Sequence, residues 1–190
     1  MNAPSVIVIG ASVGAIEALM RILPGLPAGY RPSILIVVHV PPDRKSLLAS
    51  LFGERCAIPV KEAEDKENIQ AGTIYFAPPN YHLLVEPDFT LSLSSDEPVF
   101  YSRPSIDVLF ESAADAYGDS LTGIILTGAN QDGADGLRAV CEAGGQALVQ
   151  SPTTAEGKAM PLAALTACPA AKELPLEEIA TLLKSYPLPN

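Results

Sequence analysis

Three short stretches of this chain place side chains that could act together on an acyl group. Gly10-Ala11-Ser12-Val13-Gly14 follows the apolar run Val6 to Ile9 and precedes an amphipathic stretch, so Ser12 sits at a tight turn from strand to helix. The spelling fits G-x-S-x-G, a turn that mounts a serine nucleophile. Its glycines permit a cramped backbone and close approach of a substrate, and the helix behind offers unpaired N–H groups to a developing oxyanion. Two plainer readings stand beside this one. Such turns also bind phosphates or merely turn the chain, and a serine there can serve as a helix N-cap.

The second stretch is the apolar run Ile34 to Val38, which ends in His39-Val40-Pro41-Pro42. Open α/β sheets gather their chemistry at strand ends of this kind. The third, Leu121 to Thr127, reads as a buried strand and leads into Gly128-Ala129-Asn130-Gln131-Asp132-Gly133, a glycine-rich loop opening a helix. A nucleophile, a base and an acid that orients the base, Ser12, His39 and Asp132, then arise on one edge of one sheet if the strands are parallel neighbours. Asp132 has a capping alternative, with Asn130 competing for that job, and His39 has a packed-loop alternative. Each alternative explains only one of the three positions.

The elements that must hold these residues alternate along the chain. Strands are expected at 5–10, 34–40, 73–77, 121–127 and 145–150, and helices near 15–23, 44–54, 104–117, 133–143 and 177–185. This is an α/β pattern: a doubly wound, mostly parallel sheet with helices on both faces. Tyr81 to Leu93 alternates around Glu86-Pro87-Asp88 and predicts an antiparallel hairpin on that sheet. Pro104, after Ser102 and with Asp107 in the first turn, reads as a helix opening. Lys61 to Asn68 is charged and reads as a solvated loop.

Taken together, GASVGAIEAL, IVVHVPP, AGTIYFAPPNYHLLV, RPSIDVLFESAA, ILTGANQDGADGL, GGQALVQ and the late Ala159-Met160-Pro161 resemble the catalytic domain of chemotaxis protein-glutamate methylesterases, from about residue 5 to about 185. The resemblance implies a serine hydrolase that demethylates glutamate methyl esters on chemoreceptor signalling helices and deamidates certain glutamines there. It places the nucleophile on Ser12, the base on His39 and the acid on Asp132. Backbone N–H groups of Val13 and Ala129 are candidates for the oxyanion. Arg103 could grip a substrate carboxylate or amide, or form a salt bridge, and Met160 could line the pocket or fill a core gap. His82 reads as a structural or rim residue. This chemistry calls for no cofactor and no metal.

The chain departs from the family pattern at three places. Val13 and Ala15 stand where the family usually has threonine and glycine, and Ala129 stands where it usually has methionine. A receiver domain commonly precedes the catalytic domain, whereas here the first catalytic strand begins within a few residues of Met1. One domain over 1–190 is therefore expected, either cut from a longer protein or standing alone as an esterase that is constitutive or regulated by a partner in trans. A catalytically weak receptor-binding module of the same fold is the alternative reading. A nucleotide-binding reading fits less well, because Ser12 replaces the second glycine of G-x-G-x-x-G and His39 replaces the ribose-binding acid.

At 190 residues and 48% hydrophobic content the chain suits a single domain with a sizeable core. A net charge of −10 argues against nucleic acid and anionic membranes, which both select basic surfaces. No apolar run approaches about 18 residues, so membrane insertion is not expected. Cys56, Cys141 and Cys168 form no C-x-x-C pair and are expected to be reduced, mostly buried thiols of a cytoplasmic protein.

Overall fold

The computed structural model describes residues 5–40 and 46–186. In chain order its elements are β1 (Val6–Ala11), α1 (Ala15–Ile22), β2 (Ser33–Val38), α2 (Leu48–Gly53), β3 (Val60–Glu62), β4 (Ile74–Phe76), β5 (His82–Val85), β6 (Leu91–Ser94), α3 (Ile106–Tyr117), β7 (Leu121–Ile125), α4 (Ala134–Glu142), β8 (Gln146–Gln150), α5 (Ala159–Ala167), β9 (Lys172–Leu174) and α6 (Leu176–Lys184). The main sheet is seven-stranded in the order β3-β4-β2-β1-β7-β8-β9, and every pair in it is parallel.

The central strands are apolar at nearly every position because both faces are covered, and their side chains divide by alternation. Ile7, Ile9, Ile34 and Ile36 join one core with α1, α2 and α6. Val6, Val8, Leu35 and Val37 join the other, with α3, α4, α5 and the hairpin. The doubly wound architecture is thus the one expected. Strand order reverses between β1 and β7, and a crevice at such a switch point is where open α/β sheets bind ligands.

Several elements differ from the sequence expectation. The hairpin β5–β6 is antiparallel as expected, but it forms its own two-stranded sheet and packs on α3 rather than extending the main one. The charged run begins as edge strand β3, and its Lys61 pairs with Glu64 and Glu67 at 3.0 and 2.7 Å. Helix α5 was not expected. Its Pro161 falls in the first turn, where a missing N–H costs nothing. Residues 44 and 45 of the helix expected at 44–54 lie outside the described residues, and α2 starts only at Leu48.

The expectation of three reduced thiols is also corrected: Cys141 and Cys168 form a disulfide, with Cα atoms 6.7 Å apart, and Cys56 alone is free. Spacing along the chain hid this pairing, because it is the packing of α4 against α5 that brings the two residues together. No helix among the described residues is long and apolar enough to cross a membrane.

Candidate active site

Parallel pairing puts Ser12 and His39 side by side. Ala11 on β1 registers with Val38 on β2, and the His39 N–H donates to the Ala11 carbonyl at 3.2 Å, so the ladder runs up to the two functional residues. Neighbouring strands lie about 4.8 Å apart, which sets the scale of their separation. On the other flank the Ser12 N–H donates to the Thr127 carbonyl at 2.9 Å, just past the end of β7. Ser12 therefore stands between the two strand ends that carry His39 and the Asp132 loop.

The turn after Ser12 is held from outside. Gly14 has φ 79° and is the N-cap of α1, so Ser12 lies before the helix and does not cap it with its side chain. The Thr127 hydroxyl donates to the Val13 carbonyl at 2.7 Å and accepts the Gly157 N–H at 2.8 Å. One side chain just past the end of β7 thus fixes the backbone directly after Ser12. The hydroxyl missing at position 13 is not what secures this turn. Among the described residues neither the Val13 N–H nor the Ala129 N–H has an acceptor, and both residues are exposed.

Asp132 is wholly buried and accepts four hydrogen bonds. Its Oδ2 takes His39 Nε2 at 2.7 Å and the Ile106 N–H at 2.8 Å; its Oδ1 takes the Ser105 hydroxyl at 2.9 Å and the Asp107 N–H at 3.0 Å. The carboxylate therefore sits at the N-terminus of α3, where N–H groups and the helix dipole favour negative charge. Burial opposes ionisation, yet the His39 bond and the Asp107 and Ile106 N–H groups outweigh it and hold this carboxyl below its ordinary value. Asp132 does not cap its own helix: Gly133 is the N-cap of α4, and Asn130 accepts the Asp132 N–H at 3.1 Å.

Among the described residues His39 has one side-chain hydrogen bond, the one to Asp132, and its side chain is 11% exposed. With Nε2–H committed to the carboxylate, Nδ1 carries the free lone pair. A serine and a histidine at adjacent strand ends, with the far nitrogen of the imidazole fixed by a buried carboxylate, supply the groups that acyl transfer needs, although the Ser12 hydroxyl has no hydrogen bond to the ring among the described residues.

Two glycines let α3 come this close. A side chain at Gly10 on β1 would collide with Ile106, and one at Gly133, which has φ 96°, would meet Ile106 Cγ2 at 2.8 Å. Ile106 is buried against both, so its N–H reaches Asp132. Asp107 returns the connection, because its Oδ1 accepts the Gly133 and Gly136 N–H groups at 2.9 and 2.7 Å. Asp132 thus receives the first N–H groups of α3, on which Asp107 lies, and Asp107 receives those at the start of α4, which follows Asp132.

The remaining expected residues fall as follows. Met160 is 1% exposed and packs over Gly128, so it fills the core beneath the Asp132 loop and does not face a ligand. Arg103 forms no salt bridge among the described residues. Its guanidinium donates to Asn80 Oδ1 and to the Ser95 and Asp96 carbonyls, and it borders a pocket of about 100 Å³ shared with His39. His82 is structural: Nδ1 accepts the Ser105 N–H at 3.1 Å and Nε2 donates to the Glu97 carbonyl at 3.0 Å. Sequence reasoning missed Thr127 and Ser105. Thr127 had no distinguishing signal, whereas Ser105 lay inside a stretch read only as a helix opening; α3 in fact begins at Ile106, and Ser105 spends its hydroxyl on Asp132. A larger cavity of about 570 Å³ lies to one side, between α1, the loop at 153–156 and the start of α6; Gly14, Thr127, Gln150 and Glu156 are among its lining residues, and Ser12, His39 and Asp132 are not.

A doubly wound fold that gathers a serine, a histidine and a buried aspartate at neighbouring strand ends has the parts a serine hydrolase uses. The chain belongs to the CheB methylesterase family, whose model matches residues 7–183. A Leptospira interrogans protein is 51% identical over 176 residues, which cover 93% of this chain and 91% of that one. The protein-glutamate methylesterase/protein-glutamine glutaminase of Trichodesmium erythraeum is 36% identical over 178 residues, 92% of this chain and 51% of its own. The crystal structure of the Thermotoga maritima CheB methylesterase catalytic domain superposes with a TM-score of 0.90 at 30% identity, covering 96% of this chain and 98% of that one.

Proposed function

We propose that this chain is a protein-glutamate methylesterase that hydrolyses glutamate methyl esters on chemoreceptor signalling helices, with Ser12 as nucleophile, His39 as base and Asp132 as the residue that orients the base. The observation that carries this reading is the placement of Ser12 between two strand ends, one bearing His39 and the other leading to the carboxylate bonded to His39. Membership of the family supports the substrate class.

Nδ1 of His39 takes the Ser12 proton as Oγ attacks the glutamyl carbonyl, and Asp132 stabilises the imidazolium that results. The oxyanion is received by the free N–H groups of Val13 and Ala129. The tetrahedral adduct collapses, its methoxide leaves with the proton from His39 as methanol, and an acyl-enzyme remains. Water, deprotonated by His39, then releases free glutamate and restores the Ser12 hydroxyl. On a glutamine the same steps expel ammonia. The substrate class puts the reaction in the cytoplasm.

The test is methanol release from a methylated chemoreceptor cytoplasmic fragment by the wild type and by Ser12→Ala. Release that disappears in the variant supports the proposal. A folded wild type that binds the fragment without releasing methanol refutes it in favour of a binding module.

A further inference from the structure

Val99 and Ser102 exchange both backbone hydrogen bonds, Val99 N–H to Ser102 O at 3.0 Å and Ser102 N–H to Val99 O at 2.8 Å. They close a two-residue turn whose central residues, Phe100 at φ 48° and Tyr101 at φ 61°, both lie in the left-handed region. Turns of this shape favour Asn-Gly, because a bulky side chain on a left-handed backbone is strained. Tyr101 gains no burial in exchange, being fully exposed at 103%, and Phe100 is covered only in part, at 39% exposed. The base of the turn is nonetheless firm, since Arg103 ties it to the Ser95 and Asp96 carbonyls and to Asn80.

Tyr101 also lines the pocket that contains His39, together with Val40, Asn80 and Arg103. A protein that presents an ester to His39 must therefore lie against this turn. We propose that Phe100 and Tyr101 form a docking knuckle for the protein substrate, with the Tyr101 ring laid on the apolar face of the helix that carries the modified glutamate. The proposal rests on the methylesterase reading. Charge favours a contact of this type: at −10 the chain has no long-range attraction for an acidic helix, and the Arg103 guanidinium beside the pocket is already engaged within the fold. Short-range aromatic contact is what remains, and Val13, directly after Ser12, and Ile16, one turn further on, are exposed apolar side chains as well.

The experiment compares wild type, the double variant F100N/Y101G and Tyr101→Phe, each assayed on the methylated receptor fragment and on a small methyl ester, with thermal melts alongside. The double variant supplies residues that suit the turn, so its melting temperature holds or rises. Its ratio of receptor to small-ester kcat/KM falls by about tenfold or more, mainly through KM, while Tyr101→Phe keeps most of that ratio. An unchanged ratio in the folded double variant overturns the knuckle alone. A wild type that cleaves the small ester and never the receptor overturns the methylesterase reading, and the knuckle with it.

Discussion

Asp132→Asn is informative because the four bonds to this carboxylate leave an amide no good orientation. With NH2 in place of Oδ2, the amide meets the Ile106 N–H and donates to His39 Nε2. That moves the imidazole proton to Nδ1 and removes the base. With NH2 in place of Oδ1, the Ser105 hydroxyl can turn to accept, but the Asp107 N–H is left facing a donor. Here the tautomer survives and the negative charge does not. Either way one buried N–H is orphaned, at a cost of about 1–3 kcal/mol in stability. Turnover falls by about a hundredfold if only the charge is lost and by up to about ten-thousandfold if the tautomer is lost, or about 3 to 5 kcal/mol in the barrier. The assay is methanol release at saturating substrate, with circular dichroism to confirm the fold. Turnover within about tenfold of wild type in a folded variant would refute the role of Asp132.

Other expectations come from the same network. Ser12→Ala abolishes labelling by a fluorophosphonate and changes stability by no more than about 0.5 kcal/mol, because the hydroxyl has no partner among the described residues; labelling that persists means another nucleophile. Thr127→Val removes the donor to Val13 and the acceptor for Gly157, lowering stability by about 1–3 kcal/mol and turnover with it; a fully active variant would show that the hydroxyl does not hold the turn. Gly136→Ala drives a methyl to 2.6 Å from Phe110 Cβ and 3.0 Å from Asp107 Cα, so chemical melts should show a loss of about 1–3 kcal/mol. Burial, with the charges of Asp132 and Glu111, pushes Asp107 up to about 7 against the Gly136 and Gly133 N–H bonds. The native state then holds this proton longer than the unfolded chain, so the group's contribution is intact below about pH 4 and is lost as pH rises to about 7. Asp107→Asn keeps Oδ1 for both glycines and should flatten that part of the stability curve; an unchanged slope in denaturant titrations counts against it.

The strand ends were legible because buried parallel strands are continuous apolar runs, and Ile34 to Val38 could point His39 only to a sheet edge. Edge strands β3 and β9 have three residues each and no such run, so composition could not mark them. Helix α5 hid behind Pro161 and an apolar stretch with no 3.6-residue period. The serine and histidine were readable because each is fixed by its own strand. The partners of Asp132 were not, because they belong to a segment almost 30 residues upstream that only folding brings beneath it.

That upstream segment decides what kind of site this is. Histidine and serine at adjacent strand ends would be brought together by any parallel pair in this register, but a carboxylate wholly out of water would give up its charge unless donors met it. Here the donors are the first turn of α3, brought into reach by the absence of a side chain at Gly10 and Gly133. Asp107 on that same turn caps α4, which follows the Asp132 loop, so neither helix can shift without loosening the carboxylate that steadies His39. The orientation of the His39 ring is therefore a property of helix packing between α3 and α4. On this argument, substitutions at the α3–α4 contact that never touch substrate should lower kcat while leaving KM nearly unchanged.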